Sequence, residues 1–285
     1  MRRSCFSAAI ITAVVVLLVF ALQATPVNAQ LDDERERAAE TLENGRSEAA
    51  LYVIRPAKDD REPVKLHAES LLKWQNTVDK SVHGNIFLWT RAGRPEVVAS
   101  LYQFYSPKVE FAAELHSLSL SPLVIEKNGE QVWTPKEPGI VLKMFDDASE
   151  PPASKPQRLI KMRQLADQFT GQMTDWSNEN YRLRLMPKPL FRYESTDPQV
   201  LDGALFALTY TTDPEVLVLV EARKAGEGFR WMYGFARMNV GVLQVSHRGR
   251  EIWKADRLEH PFYYKNGVYT LFTDLPLPKP KAKVD

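Results

Sequence analysis

Hydrophobic positions change their period several times along the chain, and each change marks an element. Residues 32–50 are charge-dense, with Leu31, Ala38, Leu42 and Ala49 near helical spacing, which predicts a surface helix fraying around Gly45. A polar loop bounded by prolines follows at 56–63. From Val64 the period falls toward two. Ile86–Thr90, Val97–Phe104 and Glu114–Leu120 read as strands rich in β-branched and aromatic residues. Asn128-Gly129, between two such runs, predicts a tight hairpin, because both turn positions must accept positive φ. After a linker at 146–156, Ser154 is placed to cap a helix whose apolar stripe is Leu159, Met162, Leu165, Ala166, Phe169 and Met173. Strands resume at Tyr181, where Arg182 and Arg184 alternate with apolar neighbours. They continue through Leu205–Thr211, Val216–Ala222, Arg230–Met238, Val242–His247 and Glu251–Lys254. Asn266-Gly267 predicts a last hairpin, and the Pro/Lys-rich residues 275–285 a disordered tail.

The two strand-rich stretches resemble one another. A shift of 119 lays 71–102 over 190–221 without a gap. Leu71, Thr77, Gly84, Phe87, Thr90, Pro95, Glu96 and Val97 then meet identical residues at Leu190, Thr196, Gly203, Phe206, Thr209, Pro214, Glu215 and Val216. Unrelated pairs of ordinary composition give roughly 2 such matches over this length. One added residue restores the register further on, setting Leu123, Gly129 and Trp133 against Leu243, Gly249 and Trp253. Each copy follows a candidate helix. The expectation is an α+β, mostly β protein of two similar helix-plus-antiparallel-meander halves, with pseudo-twofold symmetry and a seam suited to a ligand. The boundaries are 1–29, 30–63 (helix and loop), 64–134 (first repeat), 135–180 (linker and helix), 181–254 (second repeat), 255–274 (hairpin) and 275–285.

The start of the chain adds a location. Arg2-Arg3, an apolar core from Ala8 to Leu22 and the small-residue site Val27-Asn28-Ala29 follow the order of a cleavable secretory signal, with a mature start near Gln30. The core is shorter than the roughly 20 residues of a spanning helix, though an uncleaved anchor is the alternative. Arg2-Arg3 also permits twin-arginine export. Removing 1–29 takes away Cys5, the only cysteine, and with it any disulfide, thiolate metal site or cysteine nucleophile. The 37 basic residues fall to 35 against 36 acidic, so no global charge draws the mature chain to nucleic acid or anionic membrane. No second apolar run is long enough to span a bilayer.

Chemistry candidates are few. Glu114 and His116, two apart on a strand, face one side and suit metal binding or acid–base work, with His83 as a third group. His83-Gly84 and Asp202-Gly203 occupy matching places in the repeat, so a second expectation is a histidine and a carboxylate meeting near the axis. The plain readings are a hydrogen-bonded pair on a sheet, and polar residues beside a glycine that the backbone needs. Nucleophile-elbow, P-loop and Rossmann patterns are absent, and no cofactor is expected. Trp133 and Trp253 recur at one hairpin position, which argues for packing over a glycan platform.

A run of motifs carries a resemblance: His83-Gly84 with Phe87-Leu88-Trp89, Gly93-Arg94-Pro95-Glu96, Glu114-Leu115-His116-Ser117-Leu118, Asp202-Gly203-Ala204-Leu205-Phe206, Thr212-Asp213-Pro214-Glu215, Glu221-Ala222-Arg223 and Ala236-Arg237-Met238. Over roughly residues 64–254 they resemble an uncharacterised family of exported bacterial proteins. The resemblance implies export and one continuous fold, and transfers no chemistry. The expected function is a non-catalytic binding or interaction protein of the cell envelope, its ligand or partner protein unspecified. The alternative is a periplasmic or secreted hydrolase or metal-dependent enzyme using His83, Glu114, His116 and Asp202.

Overall fold

The computed structural model describes residues 27–58, 64–76, 81–259 and 264–277, with side chains from residue 32. The signal-peptide core and most of the expected tail lie outside them. The described residues from 41 onward form one compact unit and those up to 40 another; the architecture below is that of the former.

Helix α1 (Val27–Ala49) leads into β1 (Tyr52–Pro56), β2 (Lys65–Leu66), β3 (Leu72–Gln75), β4 (Val82–Arg91), β5 (Arg94–Phe104), β6 (Glu110–Ser117), β7 (Leu123–Lys127) and β8 (Glu130–Trp133). A short β9 (Lys143–Met144) precedes α2 (Lys155–Ala166). Then come β10 (Phe169–Thr174), β11 (Asn180–Leu185), β12 (Phe191–Tyr193), β13 (Val200–Tyr210), β14 (Asp213–Ala225), β15 (Gly228–Arg237), β16 (Val242–His247), β17 (Arg250–Ala255) and β18 (Tyr269–Leu275). The fold is thus mostly β, with antiparallel sheets and two helices among the described residues. The strands run in the orders β1-β7-β8, β18-β6-β5-β4-β2 with β3 also on β4, and β17-β16-β10-β11-β13-β14-β15-β9 with β12 also on β13.

The pairing registers of the two stretches coincide under the sequence shift. Leu72 faces Ile86 and Trp74 faces Gly84, as Phe191 faces Leu205 and Tyr193 faces Gly203. Thr90 faces Pro95 after a bulge, as Thr209 faces Pro214 after a bulge. Ile125 faces Trp133 before another bulge, as Val245 faces Trp253. Two differences stand beside these matches. Strand β10 reaches across to β11, whereas β2, two residues long, leaves β1 in a separate sheet. The free side of β6 is covered by β18, that of β15 by β9.

Strands β4, β5, β13 and β14 are buried almost end to end because both of their faces are covered. One face of the first pair, with Phe87, Trp89, Val97 and Leu101, packs with Ile54 and Ile125, and Gly45 of α1 lies against Phe87. One face of the second, with Phe206, Leu208, Val216 and Val220, packs with Met162 and Leu165 of α2. The opposite faces meet each other: Ile86, Leu88 and Val98 join Leu205, Ala207 and Leu217 in a shared core, the seam. The hairpin tips cross it reciprocally. Ala92 accepts from the Thr196 amide (3.0 Å), and Thr212 Oγ1 donates to the Gln75 carbonyl (2.7 Å).

Three expectations need correction. Helix α1 does not fray at Gly45. A Cβ there would come 2.8 Å from the Phe87 ring, so the glycine permits close approach of helix and sheet, and Thr41, Glu48 and Ala49 are buried rather than on a surface. Helix α2 ends at Ala166, and Ser154 caps it without a side-chain bond; Phe169 and Met173 belong to β10. Their spacing suits a helix, but buried Phe169, Gly171 and Met173 alternate with exposed Thr170 and Gln172, a period-two pattern the helical stripe concealed. Asn266-Gly267 does not close a hairpin with β18, which pairs instead with β6. Asn128-Gly129 does form its turn, with φ of 53° and 84°.

Candidate functional site

Alternation along β4 and β13 decides where the first candidates point. Gly84 and Gly203 face the seam because the Trp74 and Tyr193 rings lie against them; a Cβ at either would fall inside the ring. Their neighbours His83 and Asp202 therefore point the other way, each toward its own half's helix. Asp202 accepts from Arg158 Nε of α2 (2.7 Å) and from Arg192 Nη2 (2.8 Å), a buried clamp of sheet to helix. His83 is buried edge-on to Tyr105, which bonds Thr41 of α1 (3.0 Å). The expected meeting of His83 and Asp202 at the axis does not occur, because the paired aromatic rings reserve the seam face for the glycines.

Glu114 and His116 do share a face of β6, and both approach Tyr269 of β18. The Tyr269 hydroxyl donates to Glu114 Oε1 (2.6 Å), and the His116 and Tyr269 rings are 6.2 Å apart. His116 Nδ1 donates to the Ser117 carbonyl (2.8 Å). Burial holds the imidazole neutral, lowering its pKa to about 4 against the help of that bond, with nearby Arg237 lowering it further. Burial raises Glu114 to about 7, opposed by the Tyr269 bond and by Arg237. The Arg237 guanidinium is already committed: it donates to the carbonyls of Asn239, Asp256 and Gly241 at 2.8–2.9 Å. No group of three or more His, Cys, Asp or Glu is arranged for a metal among the described residues, so His83 does not complete a ligand set with Glu114 and His116.

Glu114 borders a cavity of about 200 Å³ at one end of the seam. Its walls are aromatic: Trp74, Tyr102, Phe104 and Tyr269, with Trp74 and Tyr102 centroids 5.7 Å apart. Asp213 at the start of β14 also lines it. Close by, Glu215 is buried, its Oε2 accepting from Asn239 Nδ2 (2.7 Å). Desolvation, then Glu215 and Glu114, push the half-buried Asp213 well up; desolvation, with a further push from Glu114, raises Glu215 against its Asn239 bond.

The register-equivalent place at the other end of the seam is filled. There Arg94 stands where Asp213 does, Glu96 where Glu215 does, Glu221 where Tyr102 does and Tyr193 where Trp74 does. Arg94 Nε donates to Glu221 Oε1 (2.7 Å), and its Nη1 donates to the carbonyls of Pro95 and Leu118 (both 2.9 Å) and lies 3.6 Å from Glu96. Tyr193 donates to Glu221 as well, and Arg223 Nη1 bonds Glu221 Oε2 (3.1 Å). One end of the seam is thus a neutralised plug and the other an open acidic cavity.

The residues around this cavity were not among the sequence candidates, Glu114 apart. The signal was present as a charge reversal: the shift of 119 that aligns the two strand-rich stretches sets Arg94 against Asp213 beside matching Pro-Glu-Val runs. No family model, curated protein or solved structure matches this chain.

Proposed function

We propose that this chain is an exported, non-catalytic binding protein of the cell envelope, built as a fused duplication, that takes a small ligand in the cavity at one end of its seam. The observation that carries the reading is the cavity itself: aromatic side chains and the carboxyls of Glu114 and Asp213 on its lining, with Asp213 at the position that Arg94 holds at the closed end. Small-molecule sites combine apolar walls with a few placed polar groups, and this one is smaller than the ~300–1,000 Å³ usual for drug-sized ligands. Duplication is supported by the shared registers and bulges. Export is supported by the order of the first 29 residues. N-terminal mass spectrometry of the exported protein should find Gln30 at or near the start.

The enzyme alternative has one observation in its favour, a Glu114 carboxyl at about 7, suited to acid–base work. Against it, Asp202 is held by two arginines, and His116 is neutral and bonded to backbone. Ligand-observed NMR with a fragment library tests the binding reading. Hits should disappear in Val240→Trp, which fills the cavity from its lining. Hits that survive that variant, or a library without hits, would refute it.

A further inference from the structure

We propose that the cavity lined by Trp74, Tyr102, Glu114 and Asp213 receives the cationic head of a small organic molecule, an ammonium or guanidinium group. The assignment rests on the binding reading above and adds the chemical class of the ligand.

The first argument is the built-in comparison within the seam. At the closed end, two buried carboxylates, Glu96 and Glu221, receive the guanidinium of Arg94, with Arg223 and Arg91 at the edge (3.1 and 4.0 Å). At the open end, Glu215 occupies the place of Glu96, but the three matching arginine positions carry Asp213, Phe104 and Tyr210. Glu114, opposite the position of Gly234, adds a further carboxyl. Three carboxyls therefore gather where the closed end has two and three arginines. Among the described residues, the Asp213 side chain has no hydrogen-bond or ion-pair partner. The nearby Arg237, 5.4 Å from the Tyr269 ring centre, donates to three backbone carbonyls and makes no ion pair within 4 Å among the described residues, although its charge pulls the Glu114 carboxyl down.

The second argument is the wall. Trp74, Tyr102, Phe104 and Tyr269 surround the space, and aromatic faces attract a desolvated cation through their quadrupoles. An anion would meet the Glu114 and Asp213 carboxyls on the lining with Glu215 close by, and a neutral group would leave them uncompensated once they ionise. A bare metal ion would leave most of about 200 Å³ empty and would find no arranged set of ligands. An organic cation satisfies both the carboxyls and the rings.

Charge state supplies the control. Burial raises Glu114, Asp213 and Glu215 above the ordinary carboxylate range, Glu114 adds to the rise of the other two and Glu215 to that of Asp213, while Arg237 pulls Glu114 down; Tyr102, Tyr269, His116 and Glu110 are further titratable groups around them. Cation binding should therefore strengthen as pH rises.

Isothermal titration of residues 30–285 with butylammonium and methylguanidinium, against butanol and butyrate as neutral and anionic controls, tests the assignment. Both cations are expected to bind at pH 8.5, at least tenfold more tightly than at pH 5 and than either control. Asp213→Asn should weaken them tenfold or more. Asp213→Arg, which copies the closed end at a half-buried position, should abolish binding while keeping the fold by circular dichroism. If butanol or butyrate binds as well as the cations, and Val240→Trp removes that binding, the cavity remains the site and the cationic assignment is overturned. If no probe binds, both readings fail. Undiminished cation binding in Asp213→Asn and Asp213→Arg would also overturn the assignment.

Discussion

Glu114→Gln isolates the electrostatic cost of the cavity. In the folded protein the Glu114 carboxyl titrates near 7, chiefly through burial, whereas in an unfolded chain it titrates near ~4.3. The raised value means that the folded state holds this proton more tightly, so stability is greatest below the unfolded pKa and falls as pH rises from about 4.3 through 7. A shift of between two and three units at ~1.4 kcal/mol each gives roughly 3–4 kcal/mol lost across that window, with no further change from this group above it. Glutamine keeps an acceptor for the Tyr269 hydroxyl and cannot ionise. Urea unfolding without ligand, at half-unit steps from pH 4.5 to 8.5, should show the wild type losing stability relative to the variant as pH rises. The two should be close at the acid end and differ by up to roughly 3–4 kcal/mol in the variant's favour at pH 8. Parallel curves would show that Glu114 is solvated or paired in the folded state, and the account of the cavity would be wrong. A variant less stable at pH 8 would show that the ionised carboxylate is a net stabilising group.

Other substitutions probe the frame around the site. Asp202→Ala leaves Arg158 and Arg192 without their shared carboxylate and should cost about 3–5 kcal/mol in urea unfolding, as is usual when one partner of a buried ion pair is removed. Gly84→Ala and Gly203→Ala each drive a methyl into a seam ring and should cost at least the ~1–3 kcal/mol of ordinary overpacking; near-neutral results would place the seam elsewhere. Glu221→Gln weakens the closed end and should lower the melting temperature, whereas Asp213→Asn should hold or raise it, because it relieves repulsion rather than breaking a pair.

What could be read from the sequence follows from which interactions are local. Alternation placed most strands, and Asn128-Gly129 announced its turn, because both depend on neighbours a few residues away. The helical stripe through Phe169 and Met173 misled because spacings of three and four also satisfy parts of a period-two pattern once a glycine, here Gly171, interrupts the apolar count. His83 and Asp202 matched in the repeat, but their direction was fixed by Trp74 and Tyr193 stacking over the adjacent glycines, contacts made by separate strands. Glu114 was legible as a residue and not as a site, since its raised pKa comes from burial beneath β18, about 155 residues along the chain in its Tyr269 contact.

The two ends of the seam carry opposite charge at matching positions. A twofold contact made of identical halves would set the same charge at both ends, and two buried carboxylates without a cation would cost stability at each. The chain neutralises one end with Arg94 and leaves the other with Asp213, where burial and mutual repulsion hold the carboxyls up toward neutral pH. Repulsion that destabilises the empty cavity also becomes available to a ligand, because a cation that relieves it gains differential free energy from binding. The carboxyls that a cation would pair with, and the repulsion between them, thus sit at the same end of the seam, opposite the ion pairs of the closed end.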